Sequence, residues 1–138
     1  MAELQAHHLP TAYRIWLTAG WNGKYHLSEA AFARAWQASP VAIGWWEGDE
    51  LVAIGRANSD GVMYAMIHDV VVDPTHRGRG LGHVIVGDLV RRLRDLGVRE
   101  IQLMAAVGQV GFYEQLGFER RPEDAPGMTY AHGALGGQ

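Results

Sequence analysis

The stretch His68-Asp-Val-Val-Val-Asp-Pro-Thr-His-Arg-Gly-Arg-Gly-Leu-Gly82 decides how the rest of the chain is read. An apolar run ends at Pro74, which cannot donate to a sheet ladder and so stops a strand. A loop follows with glycine at 78, 80 and 82 and arginine at 77 and 79. Leu81, Ile85, Leu89, Leu93 and Leu96 then fall on one stripe of a helix, with Arg91, Arg92, Arg94 and Asp95 mostly on the other side. Glycine admits close approach of backbone to a ligand, and the first turn of a helix presents N–H groups with partial positive charge. Together with two arginines, these features imply a bound phosphate, held largely by main chain.

Other phosphate loops fit poorly. A Walker loop needs Lys followed by Ser or Thr, and neither follows these glycines. A dinucleotide fingerprint needs a third glycine where His83 stands. The pattern that fits is R-x-x-G-x-G, carried by Arg77, Gly80 and Gly82. It resembles the acetyl-coenzyme A loop of the GNAT superfamily of N-acetyltransferases. Further along, Arg99 to Val107 reads as a strand, and Gln109-Val-Gly-Phe-Tyr-Glu-Gln-Leu-Gly-Phe118 is similar to the family's second signature, a short helix bearing F-Y and ending in L-G-F. The resemblance covers residues 62 to 121. The Asn that the family usually places seven residues before the Tyr is Ala106 here.

At 138 residues the chain has the length of one domain with a real core. Its 48% hydrophobic and 20% charged residues argue against disorder. It contains no cysteine, which excludes disulfides, thiolate metal sites and an acyl-cysteine intermediate. A net charge of −3 argues against a broad nucleic-acid surface. With no membrane-length apolar run and no signal-peptide pattern, the expectation is a cytoplasmic protein with neither nucleic acid nor membrane as partner.

Helices are expected over Leu9 to Ala19 and Ser28 to Ala38, separated by the breaker Gly20-Trp-Asn-Gly23. Val41 to Glu47 and Leu51 to Arg56 read as a hairpin, Asn58 to Gly61 as a turn, and Val62 to Val72 as a long strand. Phe118 to Arg121 and Met128 to His132 read as closing strands. The family's first strand has room only within Glu3 to His8. This pattern gives an α+β protein; the resemblance makes it the GNAT fold, a mixed central sheet flanked by helices in a single domain. Residues 1 to 61 then form the acceptor side, 62 to 132 the coenzyme-binding half, and 133 to 138 a frayed tail.

The resemblance implies transfer of an acetyl group from acetyl-CoA to a primary amine, by direct attack in a ternary complex and without a metal. Such a reaction needs a base for the ammonium, a stabiliser for the oxyanion and a proton for the leaving thiolate. Tyr113 matches the family tyrosine that points at the coenzyme sulfur, and a phenol is protonated at neutral pH. His68 and Asp69 are the candidate bases. Alternation sends them to opposite faces, so one at most points directly at the acceptor cleft, and a water chain stays open as an alternative. Within an apolar strand each also has a bland reading, His68 as a satisfied core histidine and Asp69 as a loop anchor. The family pattern implies that an amide of Val70 or Val71 faces the thioester carbonyl. It also implies that the pantetheine arm pairs with Val70, Val71 and Val72, and that the pyrophosphate rests on Arg77, Gly78, Arg79, Gly80, Leu81 and Gly82. His76 and His83 flank that loop with no third ligand spaced nearby.

The acceptor is open. All five tryptophans, at 16, 21, 36, 45 and 46, lie in the first third of the chain; they suit either an aromatic amine pocket or a core. Ser59-Asp-Gly-Val with D-V-V-V-D-P is similar to the plastid and cyanobacterial serotonin N-acetyltransferases, which points to an arylalkyl amine. Glucosamine-phosphate N-acetyltransferases share the coenzyme half, which points to an amino-sugar phosphate. A non-catalytic acyl-CoA sensor is the reading from another class. Family members often pair as homodimers through C-terminal strands, and Met128 to His132 would serve here.

Overall fold

A computed structural model describes residues 1–130 of the chain. Residues 1–103 form one compact unit and the segment from 104 onward a second. In the first, strands β1 (Ala2–Glu3), β2 (Val41–Glu47), β3 (Glu50–Ser59), β4 (Tyr64–Val72) and β5 (Glu100–Leu103) lie in sequence order in one sheet. The first four pair antiparallel and β4 pairs with β5 in parallel. This mixed sheet flanked by helices is the expected α+β fold.

Helices cover both faces of the sheet. On one side, α1 (Leu9–Leu17) and α3 (Glu29–Gln37) bury Leu9, Ala12, Ile15, Trp16, Phe32 and Trp36 against Leu51, Ile54 and Val71. Their apolar residues recur at helical spacing, Pro10 opens α1, and the Ser28 hydroxyl accepts from the Ala31 N–H as the N-cap of α3. On the other side lies α4 (Leu81–Asp95), whose Ile85, Val86, Leu89 and Leu93 are wholly buried. Gly55 of β3 lies beneath it. A Cβ at this position would stand 2.5 Å from Ile85 Cγ2 and 3.1 Å from Leu89 Cδ1, so glycine is required by space.

Several boundaries differ from those read in the sequence. The first strand is Ala2–Glu3, while residues 6 to 8, inside the stretch expected to hold it, form a 3-10 turn. A one-turn helix, α2 (Asn22–Tyr25), starts within the segment read as a breaker and is closed by His26 in the left-handed region. Strand β3 runs on through Ser59, and β4 begins only at Tyr64. The reason lies in Asp60, whose carboxylate accepts from the N–H groups of Val62 and Met63 and holds them in a turn. Strand β5 ends at Leu103, four residues earlier than expected.

In the second unit α5 (Val110–Glu114) is the short helix anticipated from the F-Y motif. The expected closing strand Phe118 to Arg121 is not formed, and Met128 to Tyr130 is likewise outside any strand; residues 131 and 132 of that expectation lie outside the described part. Pro122 and Pro126 interrupt the sequence between them, and neither can donate to a ladder. Instead, Ala125 donates to the Pro122 carbonyl and Arg121 Nε to the Ala125 carbonyl, giving a self-contained turn.

Two glycine substitutions separate packing from propensity. Gly55→Ala should destabilise the fold by about 1–3 kcal/mol through overpacking against α4. Gly87→Ala, in the interior of α4 with nothing within 4 Å of the added carbon, should stabilise by roughly 0.5–1 kcal/mol. Urea denaturation of both variants reads the difference.

Candidate active site

Strands β4 and β5 pair only from Tyr64↔Glu100 to Ile67↔Leu103. Beyond that point β4 continues to Val72 with β3 on one side and, among the described residues, no strand on the other. Buried amides seldom go without partners, so this edge has the geometry that an added extended segment could pair with. Val70, Val71 and Val72 all lie along it.

Strand β4 is also irregular at this point. Ile54 pairs with Val71 and Arg56 with His68, so Asp69 and Val70 together face the single residue Gly55. Asp69 sits at φ +57°, a conformation that costs a non-glycine residue about 1–3 kcal/mol unless its surroundings hold it. What holds it is visible. Its Oδ1 accepts from Trp16 Nε1 at 3.0 Å, and its Oδ2 accepts from Arg56 Nε at 2.7 Å. Arg56 in turn donates to Ser39 Oγ at 3.0 Å and lies 5.8 Å from the centre of the Trp36 ring.

The bulge changes the relation between His68 and Asp69. Strict alternation would send them to opposite faces. Yet His68 is the cross-strand partner of Arg56, which places it on the Arg56 face, and the Asp69 side chain binds that same guanidinium. Both polar groups therefore work on the α1/α3 side of the sheet. Burial lowers the His68 pKa below 6.5, the Arg56 charge lowers it further, and Asp69 opposes them. His68 is accordingly neutral at neutral pH, with a ring nitrogen able to take a proton.

After Val72, Asp73 caps a 3-10 turn (Pro74–His76), accepting from Thr75 and His76. These hydrogen bonds hold its carboxyl below the ordinary range. Gly80 begins α4 in the left-handed region at φ +76°, where no side chain caps the helix. The space over Gly78 and Gly80 is open, with no protein atom within 4 Å of a Cβ built on either. Arg77, Gly78, Arg79, Gly80, Leu81 and Gly82 thus form a loop leading into the first turn of α4. Arg77 Nε donates to the Val72 carbonyl.

Arg79 is tied down as well. It donates to both carboxylate oxygens of Glu47 at 3.0 Å, and His76 Nε2 lies 3.7 Å from the same carboxylate. Glu47 and Asp73 also border a groove of about 800 Å³ between the start of α1 and the β2–β3 hairpin, with His7, His8 and Trp46 in its wall. Of the tryptophans, Trp16 and Trp36 are core; Trp46 lines the groove and packs edge-on against His8. Arg91 and Arg92 pair with Asp88, and Arg92 with Glu3 as well.

Tyr113 belongs to the second unit, on α5. Its half-buried ring meets Phe112 and Phe118 edge-on, and the Phe118 N–H closes on the Tyr113 carbonyl. Burial raises its pKa above 10, so the phenol keeps its proton.

Sequence reasoning missed Arg56, Trp16, Ser39 and Glu47. Arg56 carried a signal: a charge directly after Leu51 to Gly55, inside a buried strand, needs a partner. The partner's identity depends on β3–β4 register, which the sequence alone does not reveal.

The family model described as Acetyltransferase (GNAT) family matches residues 6–118. A rice (Oryza sativa) protein named serotonin N-acetyltransferase 2, chloroplastic, is 46% identical over 79 residues, 57% of this chain and 40% of that one. A soybean (Glycine max) protein named histone acetyltransferase is 42% identical over 87 residues, 61% of this chain and 38% of that one. The chain therefore spans well under half the length of these two relatives. A Xanthomonas campestris structure assigned to the GNAT family superposes with a TM-score of 0.71 at 27% identity, covering 88% of this chain and 84% of that one.

The Asp69 anchor is open to a direct test. Asp69→Asn leaves an acceptor for Trp16 but sets an amide donor against Arg56 or turns the acceptor away from one of them. With both partners mostly buried, the loss should be about 2 kcal/mol, read by chemical denaturation. The parting of β4 and β5, the open glycine loop at the start of α4 and the family match have one conclusion: this chain belongs to the acetyltransferase (GNAT) family.

Proposed function

We propose that the protein is an acetyl-CoA-dependent N-acetyltransferase acting on a primary amine by direct attack in a ternary complex. The observation that carries this reading is the free edge of β4 running straight into the glycine loop at the start of α4. The edge suits the pantetheine amides and the loop suits the pyrophosphate, joined by a strand end of the right chemistry. Val70, Val71 and Val72 would pair with the pantetheine arm, and Arg77, Gly78, Arg79, Gly80, Leu81 and Gly82 would hold the diphosphate. A main-chain N–H of Val70 or Val71, just past the bulge, would meet the thioester oxygen as charge develops there.

His68 is the group we assign to proton removal from the amine. Both oxygens of Asp69 are already engaged by Trp16 and Arg56, whereas His68 is neutral and half-buried on the same face. Tyr113 is assigned to protonating the leaving thiolate, supported by its retained proton and its place in the F-Y motif. For the acceptor we favour a small arylalkyl amine, in line with the name of the rice relative; the soybean relative's name keeps a protein amine as the competing outcome.

Thermal unfolding with and without acetyl-CoA is the first test. Ligand at 100 times its Kd adds about 2.7 kcal/mol of stability, on the order of 8 °C in Tm for a chain of this size. No shift at millimolar acetyl-CoA would refute the coenzyme site. Free-thiol release should then be followed across tryptamine, serotonin, glucosamine 6-phosphate and spermidine, with tryptamine or serotonin expected to turn over fastest. Tyr113→Phe should lose roughly tenfold or more in kcat with unchanged coenzyme affinity. The pH profile follows from the sign of the His68 shift. Protonation of His68 removes the base, so kcat/KM should fall as pH drops through a midpoint below 6.5. His68→Gln should abolish that limb.

A further inference from the structure

We infer that Arg56 is a positioning residue for the transfer reaction, holding the β4 bulge so that His68 and the amides beyond it keep their working geometry. The inference rests on the assignment of His68 as base and goes beyond it to a residue on a neighbouring strand. Three elements meet at this guanidinium. Strand β3 supplies it, Asp69 of β4 accepts from Nε, Ser39 just past α3 accepts from an NH1 hydrogen, and Trp36 of α3 lies under its face. Trp16 of α1 holds the other oxygen of Asp69. The side chains of Arg56 and Asp69 are 16% and 19% exposed, so the pair is only weakly screened by solvent.

The geometry explains why an arginine stands here. Asp69 is a non-glycine residue at φ +57°, and the residue next to it, Val70, lies on the free edge. Releasing the Asp69 carboxylate would let the strand relax toward regular alternation. That would turn His68 and Val70 relative to the sheet, since a one-residue change of register flips every side chain that follows. A planar donor with several N–H groups can hold Asp69 and Ser39 at once; a lysine ammonium reaches one or the other less well.

Arg56 also sets the charge His68 experiences. Arg56 from β3 and Asp69 from β4 are the charged groups acting on His68 among the described residues, and they oppose each other. Removing Arg56 takes away the charge that repels a proton and leaves the one that attracts it. His68 would then be protonated at higher pH and the base lost nearer neutrality.

The test uses the full chain labelled for NMR, with the His68 resonance assigned from His68→Gln and titrated without acyl donor or acceptor. In Arg56→Gln the His68 midpoint should rise by about half a unit or more, with shifted amides at Asp69 and Val70. Thiol release with tryptamine should fall roughly tenfold, and acetyl-CoA affinity should weaken by less than that as the Val70 amide shifts. Arg56→Lys keeps the charge, so the midpoint should stay near that of the parent and turnover should partly recover. A folded Arg56→Gln protein with an unmoved His68 midpoint and unmoved Val70 amide would overturn the inference. Should Arg56→Gln not fold, Arg56→Lys decides. A turnover loss of about threefold with an unchanged midpoint supports positioning, and parental turnover overturns it. The two levels of the argument fail separately. If the parent protein does not acetylate tryptamine, the acceptor assignment is wrong, yet the His68 titration still decides the role of Arg56.

Discussion

Beyond Ile67, β4 has a partner strand on one side only among the described residues, and this single constraint organises the sheet. A half-paired strand in the middle of a sheet leaves main-chain donors and acceptors that ordinary packing cannot satisfy. Helices pack on both faces of the sheet around it, α4 on one side and α1 with α3 on the other. The glycine loop follows at once because the chain must turn from that strand into α4. Strand edge and helix N-terminus are thereby brought together by connectivity alone.

The bulge at Asp69 is the second consequence of the same design. A regular strand would alternate His68 and Asp69 across the sheet. Inserting one residue lets both polar groups share a face, where Arg56 and Trp16 can satisfy the carboxylate. The cost of a positive φ is met by two hydrogen bonds to a mostly buried carboxylate. Each hydrogen bond to such a charged group contributes about 1.5–3 kcal/mol, enough to offset strain of about 1–3 kcal/mol. The strained residue thus adjoins the candidate base, where departures from local sequence rules are expected.

Much of this was legible in the sequence, for identifiable reasons. The helix of Leu81 to Leu96 announces itself by five leucine or isoleucine residues at spacings of three and four, and the glycine loop by residue types few other functions require. The hairpin and the short F-Y helix are equally local. What escaped is non-local. The bulge depends on how β3 registers against β4, and no turn residue or period marks it: Asp69 looks like any residue in alternation. Arg56 and Trp16 are 13 and 53 residues from the carboxylate they hold. Residues 118 to 121 and 128 to 130 form no strand, although apolar residues around Phe118 and Met128 suggest one, because the prolines between them cannot donate to a ladder.

One physical cause acts in opposite directions on the two groups assigned to proton transfer. Burial disfavours whichever form is charged. For His68 the charged form is the cation, so burial empties the ring nitrogen of its proton and leaves a base. For Tyr113 it is the anion, so burial keeps the hydroxyl protonated and leaves an acid. No metal or specialised residue is needed to set the two states apart at one pH; a histidine and a tyrosine, each half-buried in its own unit, suffice. Arg56 refines only the first of them. That is why a change at Arg56 should move the acidic limb of the rate profile while leaving the phenol as it was.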